Sequence, residues 1–203
     1  MSAPEGWREI AAWRRQQRQL LLAARAALGA DAHRAKSRAI EMLLEDHLPV
    51  LRRGLVGIYW PIRHEFDPLP FARRFIAAGG EVALPVVVAA RQPLEFRRWT
   101  PATKMAKGVY DIPYPAASEA VAPAALVVPL LGFDDAGYRL GYGAGYYDRT
   151  FASRAAKPLA IGVGFALGRL PTIYPQPHDH PMDHVVTEDG AFRRDGGRLV
   201  PAD

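Results

Sequence analysis

Residues 125–154 read Ala-Leu-Val-Val-Pro-Leu-Leu-Gly-Phe-Asp-Asp-Ala-Gly-Tyr-Arg-Leu-Gly-Tyr-Gly-Ala-Gly-Tyr-Tyr-Asp-Arg-Thr-Phe-Ala-Ser-Arg. The apolar run Ala125 to Leu131 has the length of a buried strand. Glycines dominate 132–145, and a helix is expected from about Tyr146 to Arg154. Strand, glycine-rich loop and helix in that order are one βα unit, and its neighbours repeat the alternation. Upstream, Leu55 to Trp60 is a short apolar run before Pro61, Leu69 to Ala78 reads as a helix closed by Gly79-Gly80, and Val82 to Val86 is another strand. Leu94 to Trp99 alternates in polarity and reads as a third strand. Downstream, Pro158 to Phe165 is a strand and Val185 to Thr187 a short terminal one. Residues 100–124 and 171–184 are expected as loops. Alternating strands and helices predict an α/β fold, a Rossmann-like three-layer arrangement with a mostly parallel central sheet flanked by helices. No internal repeat or linker divides the chain, so 1–203 is expected to form one domain.

Two helices precede this core. Residues 7–28 place Ile10, Trp13, Leu20, Leu21, Ala24 and Leu28 near a 3.6-residue period, with five arginines over much of the rest. Gly29 is the expected stop, Asp31 the expected N-cap of a helix over 32–47, and Pro49 its end.

The loop is where chemistry is expected. Gly141, Gly143 and Gly145 alternate, so the backbone can approach a bulky anion, with peptide N–H groups and the next helix N-terminus aimed at it. Arg139 and Arg149 bring forked guanidinium groups suited to phosphate, and Asp148 is a carboxylate able to face Mg²⁺. The spacing is neither the dinucleotide-binding nor the P-loop pattern. Bare alternating glycines also serve ligand-free turns; the Tyr-Tyr-Asp-Arg at the helix start favours the anion site.

Composition narrows the classes. The chain has 203 residues and no cysteine, which excludes disulfides, thiolate nucleophiles and cysteine-ligated metals. Lys and Arg number 26 against 21 Asp and Glu, a net charge of +5 that suits a nucleotide or another polyanionic small molecule. Basic charge also admits nucleic acid, but no aromatic-interleaved basic repeat supports that partner. No apolar run is long enough to span a bilayer and no signal peptide is apparent, so a soluble cytoplasmic protein with no membrane partner is expected; a monomeric or weakly associating state is expected separately.

The segment Arg139 to Arg149 resembles the signature of the 5-formyltetrahydrofolate cyclo-ligase family. Tyr59-Trp60-Pro61 with Glu65, Leu84-Pro85-Val86, Val128-Pro129-Leu130 and His178-Asp179 before Thr187-Glu188 resemble other blocks of that family. The resemblance implies an ATP- and Mg²⁺-dependent closure of 5-formyltetrahydrofolate to 5,10-methenyltetrahydrofolate through phosphorylation of the formyl oxygen. It implies that Arg14 and Arg18 reach ATP, that residues 139–147 (Arg139, Leu140, Gly141, Tyr142, Gly143, Ala144, Gly145, Tyr146 and Tyr147) cradle its phosphates, and that Arg139, Tyr146 and Asp148 carry the chemistry. Trp60, Glu65, Tyr142 and Tyr146 would face the folate, with Glu65 accepting from the pterin; Asp148 and Asp179 would face Mg²⁺. Asp148 read alone could instead cap the helix, Asp179 could equally serve only to fasten the proline-rich loop, and Asp134 fits a turn. His178, His180 and His184 share one loop, but their spacing matches no zinc pattern. Two departures stand out: Ala144 where the family often has Gly or Lys, and Gly168 where it usually has Gln. They leave room for a nucleotide-binding paralogue without the activity; a basic RNA-binding protein is the reading from another class.

Overall fold

The computed structural model describes residues 4, 6–48, 51 and 54–202. Pro49, expected to end the second helix, lies outside the described residues. Helix α1 (Trp7–Ala26) and helix α2 (Ala30–His47) come first. Strand β1 (Leu55–Gly57), helix α3 (Leu69–Ala77), strands β2 (Glu81–Val86) and β3 (Glu95–Trp99) follow. Then come β4 (Met105–Lys107), β5 (Pro113–Pro115), β6 (Ala120–Val121), β7 (Ala125–Pro129), β8 (Gly132–Asp134) and β9 (Arg139–Leu140). Helix α4 (Tyr146–Ser153), β10 (Leu159–Val163), β11 (Arg169–Leu170), β12 (His184–Thr187), β13 (Gly190–Asp195) and β14 (Arg198–Pro201) complete the chain.

Among the described residues the main sheet has nine strands in the order β14-β13-β12-β10-β7-β1-β2-β3-β6. The central five, β12 to β2, are parallel, in register at Gly57↔Leu126 and Ile161↔Val127. The outer pairs on both sides are antiparallel. The chain winds outward from β1 through β2, β3 and β6, then returns to β7 and winds the other way. The crevice at the carboxyl ends of β1 and β7 is therefore a topological switch point, where open α/β sheets bind ligands.

Side chains alternate across the sheet. Val56, Leu84, Val127, Ile161 and Val186 face one cluster with Ile40 and Leu44 of α2 and Phe71 and Phe75 of α3. Leu126, Val128, Ala160 and Val185 face a second with Phe96, Phe133 and Phe151 of α4. Each fully buried Leu, Ile or Phe contributes about 1.5–3 kcal/mol over leaving it in water. Gly57 is required by this packing, since a Cβ there would lie 2.5 Å from Leu126 and 2.7 Å from Phe96. A third, smaller cluster joins Leu21 of α1 to Leu131, Leu140 and Ile173, so α1 packs on the loops at the switch point.

Several expectations are corrected. The buried positions of α1 are Arg14, Leu21 and Arg25, while Leu20 is 55% exposed, so the inward face carries arginines. Gly29, not Asp31, is the N-cap of α2; Asp31 sits exposed in its first turn and pairs with Arg34. Residues 100–124 contain β4, β5 and β6, and the glycine-rich segment contains the β8–β9 hairpin. Two further strands follow β12, whose partner β13 is antiparallel. By contrast, Phe96 and Trp99, in the strand read over Leu94 to Trp99, are core as expected, at 1% and 4% exposure.

Candidate active site

Three segments meet at the carboxyl ends of β1, β2 and β7: the turn after β1, the loop from β9 into α4, and the inward face of α1. They enclose a cleft of about 1190 Å³. Every residue expected at a site lines it: Arg14, Arg18, Trp60, Glu65, the run Arg139 to Asp148, and Asp179.

The glycine loop has the conformation its composition suggests. Gly143 and Gly145 have φ of 96° and 66°, the left-handed region that costs a side-chain-bearing residue energy. Around this backbone lie guanidinium groups. A Cβ on Gly143 would meet the Arg18 guanidinium carbon at 3.3 Å, and one on Gly145 would meet Arg149 Nη1 at 3.0 Å. Arg18 donates from Nε to the Gly141 carbonyl at 2.7 Å, and Arg149 donates to the Ala144 carbonyl. Burial, then the neighbouring charge of Arg14, lowers the pKa of Arg18 below its usual value. Nothing lies within 4 Å of a Cβ built on Gly141, so the cradle is open there.

Asp148 does not cap α4: Gly145 is the N-cap, with no side-chain cap bond. Its carboxylate accepts from the His180 N–H at 3.0 Å and from Arg139 Nη2 at 2.9 Å. Asp179 accepts from Arg14 Nη2 at 2.5 Å and from the Gln176 N–H at 2.7 Å. Arg14 also donates to the carbonyls of Ile173 at 2.9 Å and Tyr174 at 3.0 Å, which fastens the loop before β12 to α1. Asp134 ties that loop from the other side. It takes the N–H groups of Ala136 and Tyr138 on one oxygen and of Ile173 on the other. Among the described residues no group of three His, Asp or Glu could by itself hold a metal ion. His180 stacks on Phe151 at 4.4 Å, His178 meets the Trp7 ring edge-on, and His184 lies in β12.

The other end of the cleft is a buried polar cluster. Glu65, 5% exposed, accepts from the Tyr142 hydroxyl at 2.7 Å and from the Ile62 N–H at 2.8 Å. Arg25 donates to the same hydroxyl at 2.6 Å. Burial pushes the Glu65 carboxyl above its ordinary value, against the pull of those bonds and of Arg25. Burial and Glu65 raise Tyr59, Tyr142 and Tyr147 above the usual tyrosine range, so all three are neutral donors. The Tyr147 hydroxyl is buried with no hydrogen-bond partner among the described residues, so it remains available to a ligand. Trp60 is half-buried, packed on the core with an edge on the cleft.

Seven Lys and Arg side chains line the cleft against three carboxylates, which places the excess of basic charge at one cavity. Mg²⁺ bound with a phosphate needs few protein carboxylates and keeps its waters. The open loop, the guanidinium fence and Asp148 beside it fit that pair. Sequence reasoning missed Arg25, which reaches the Tyr142 hydroxyl without lining the cleft, and it missed Arg63, Lys157 and the β4–β5 hairpin, whose Val109 and Tyr110 do line it. Tyr110 has φ of 61° and is 75% exposed. A signal for Arg25 existed: it lies four residues after Leu21 and seven after Arg18, on one helical stripe. Gly168, the position expected to have lost a glutamine, does not line the cleft; a Cβ there would lie 2.7 Å from the Leu131 carbonyl oxygen.

A model of the 5-formyltetrahydrofolate cyclo-ligase family matches residues 10–188. A 5-formyltetrahydrofolate cyclo-ligase of Mycolicibacterium smegmatis is 32% identical over 164 residues, 72% of this chain and 84% of that protein. One from Escherichia coli is 28% identical over 146 residues, 68% of this chain and 80% of that protein. The solution structure of Aquifex aeolicus 5,10-methenyltetrahydrofolate synthetase superposes with a TM-score of 0.78 at 30% identity, covering 90% of this chain and 94% of that one. With the family model spanning most of its length and the same fold in a solved relative, this chain belongs to the 5-formyltetrahydrofolate cyclo-ligase family.

Proposed function

We propose that the chain converts 5-formyltetrahydrofolate to 5,10-methenyltetrahydrofolate with ATP and Mg²⁺, releasing ADP and phosphate. The observation that carries the reading is a single cleft with two chemically distinct ends. One is a left-handed glycine loop fenced by arginines, which suits a triphosphate. The other is a buried acceptor among neutral tyrosines, which suits the N–H groups of a pterin.

A formamide oxygen is a poor leaving group. Transfer of the γ-phosphoryl group to that oxygen, with departure of ADP, converts it into a phosphate leaving group still bonded to the formyl carbon. The N10 amine then bonds to the same carbon, loses its proton, and phosphate leaves. The chain's task is alignment and charge stabilisation. Arg18, Arg139 and Arg149 hold the phosphates, with the backbone of Gly141 to Tyr147 beneath them. Arg149 answers the lack of a lysine at Ala144, since its side chain folds back onto that residue's carbonyl. Glu65 accepts from the pterin, with Trp60, Tyr142 and Tyr146 around it. Asp148, at 18% exposure the more open of the two expected metal carboxylates, would hold Mg²⁺, which when bound neutralises charge on the transferring phosphate. Asp179, at 10%, is assigned to fastening the loop through Arg14. We take the whole chain to act as one monomeric, cytoplasmic unit; no helix among the described residues is long and apolar enough to cross a membrane.

The test is direct. The protein is incubated with ATP, Mg²⁺ and 5-formyltetrahydrofolate, and the near-UV absorbance of the methenyl product is followed. Product that requires all three components supports the reading. Bound ATP without product would assign the chain to a relative that keeps the nucleotide site and has lost the reaction.

A further inference from the structure

We infer that Arg25, which touches neither proposed substrate, is a positioning residue: it fixes the Tyr142 proton toward Glu65 and so keeps Glu65 an acceptor. The inference rests on the reading of Glu65 as the pterin contact.

The direction of the bonds is forced by the donor inventory. A guanidinium only donates, so the Tyr142 oxygen, 2.6 Å from Arg25 Nη2, is the acceptor there. A hydroxyl has one proton, and with Arg25 occupying its acceptor side that proton goes to Glu65 Oε1 at 2.7 Å. The Ile62 N–H donates to Oε2 at 2.8 Å. Both oxygens of Glu65 therefore face donors, and the ionised form is the one that satisfies them. Without Arg25 the hydroxyl is free to accept, and a protonated Glu65 can donate to it. A neutral carboxyl keeps only an uncharged acceptor oxygen, and the N–H groups of the pterin lose the charge-assisted bond that an ionised Glu65 gives them.

The charges around Glu65 support Arg25 as the decisive one. From α1 comes Arg25, 3% exposed. From its own turn comes Arg63, which is exposed and lies over the Tyr142 ring at 5.4 Å, where water screens it. Tyr59 from the end of β1, Tyr142 from the glycine loop and Tyr147 from α4 are neutral. His33 of α2 lies 3.2 Å from the Glu65 backbone carbonyl through Nε2. Arg25 is thus the buried cation of the group. Behind it is a cavity of about 310 Å³, lined by Arg25, Leu28, His33, Arg34 and His64, large enough to admit a guanidinium ion.

The experiment measures kcat and both KM values against pH for wild type, Arg25→Met, Arg25→Ala, Tyr142→Phe and Glu65→Gln. For Arg25→Met the folate KM rises about tenfold or more, as expected for one lost charge-assisted bond, while the ATP KM stays put. The acid limb of kcat/KM for folate moves up by about one pH unit. Tyr142→Phe moves it the same way, and Arg25→Met adds little on top of it. Millimolar guanidinium restores the folate KM of Arg25→Ala. A residue that merely filled space would move neither the acid limb nor the response to guanidinium. If Glu65→Gln raises the folate KM and Arg25→Met and Tyr142→Phe leave the acid limb where it was, the inference is overturned. If Glu65→Gln leaves the folate KM unchanged, Glu65 is not the pterin contact, and the inference falls with that reading.

Discussion

Changing Asp179 to Asn separates two roles that a cleft-lining carboxylate can have. Its side chain is 10% exposed and its partner Arg14 is 7% exposed, with 2.5 Å between them. One of its oxygens takes both Arg14 Nη2 and the Gln176 N–H; the other lies 3.4 Å from Arg14 Nη1. Asparagine keeps one acceptor oxygen and removes the charge. Its oxygen can still take the place that accepts both Arg14 Nη2 and the Gln176 N–H, but its amide group then turns a donor toward Arg14 Nη1 and the buried guanidinium loses its counter-charge. Losing one hydrogen bond to a charged group costs about 1.5–3 kcal/mol. Arg14 keeps the carbonyls of Ile173 and Tyr174, so the loss stays below the about 3–5 kcal/mol of a fully orphaned buried charge. A loss of about 2 kcal/mol lowers Tm by about 4–8 °C for a chain of this length. Urea unfolding should show a lower midpoint with an unchanged slope, and half-saturating Mg²⁺ should stay within a few-fold of wild type. Arg14→Met should cost more, and the double variant should cost less than the sum of the singles. The reasoning is refuted if Asp179→Asn unfolds at the wild-type midpoint while its Mg²⁺ requirement rises tenfold or more.

Asp148→Asn should cut turnover by about 100-fold or more, since it removes charge beside the transferring phosphate, while the circular dichroism spectrum is retained; unchanged turnover across a Mg²⁺ titration would remove Asp148 from the metal. Gly143→Val should raise the ATP KM about tenfold or more, because a φ of 96° strains a branched residue by about 1–3 kcal/mol and its Cβ would meet Arg18 at 3.3 Å; wild-type nucleotide affinity would show that the loop is not the phosphate cradle. Burial would raise the Glu188 carboxyl, but the Lys36 ion pair at 2.5 Å and the Ala166 N–H at 2.9 Å override it and hold the group below its ordinary value. A depressed carboxylate stabilises the fold above its unfolded value and loses that contribution as pH falls through the folded one. Glu188→Gln should therefore cost about 1–2 kcal/mol at neutral pH, and the gap to wild type should narrow below pH 4.5; a constant gap in urea midpoints from neutral pH to pH 3 would contradict this.

The parallel core was legible because its strands are buried on both faces, and Ala125 to Pro129 and Leu159 to Val163 accordingly read as unbroken apolar runs. The antiparallel margins were not. In β13 the segment Gly-Ala-Phe-Arg-Arg-Asp ends in three consecutive charged residues and gains its strand character from pairing with β12 and β14, which no local pattern announces. The β4–β5 hairpin hid among prolines, yet Pro113 and Pro115 sit in a two-stranded ribbon with edges free, where a missing N–H is tolerated. At the site, residue types were readable and partners were not: Arg14 and Asp179 are 165 positions apart, and Tyr142 reaches Glu65 across 77. The amphipathic reading of α1 failed for a related reason. A charged residue is assigned to solvent by default because burying it unpaired is costly, and that default holds only until another part of the chain supplies the partner. Two arginines on the inward face of α1, each paired with a loop of the cleft, make the helix a wall of the site as well as a cover for the core. Loops at a switch point must be held still to align two substrates, and here the holding is done by buried guanidinium groups whose acceptors lie more than a hundred residues away.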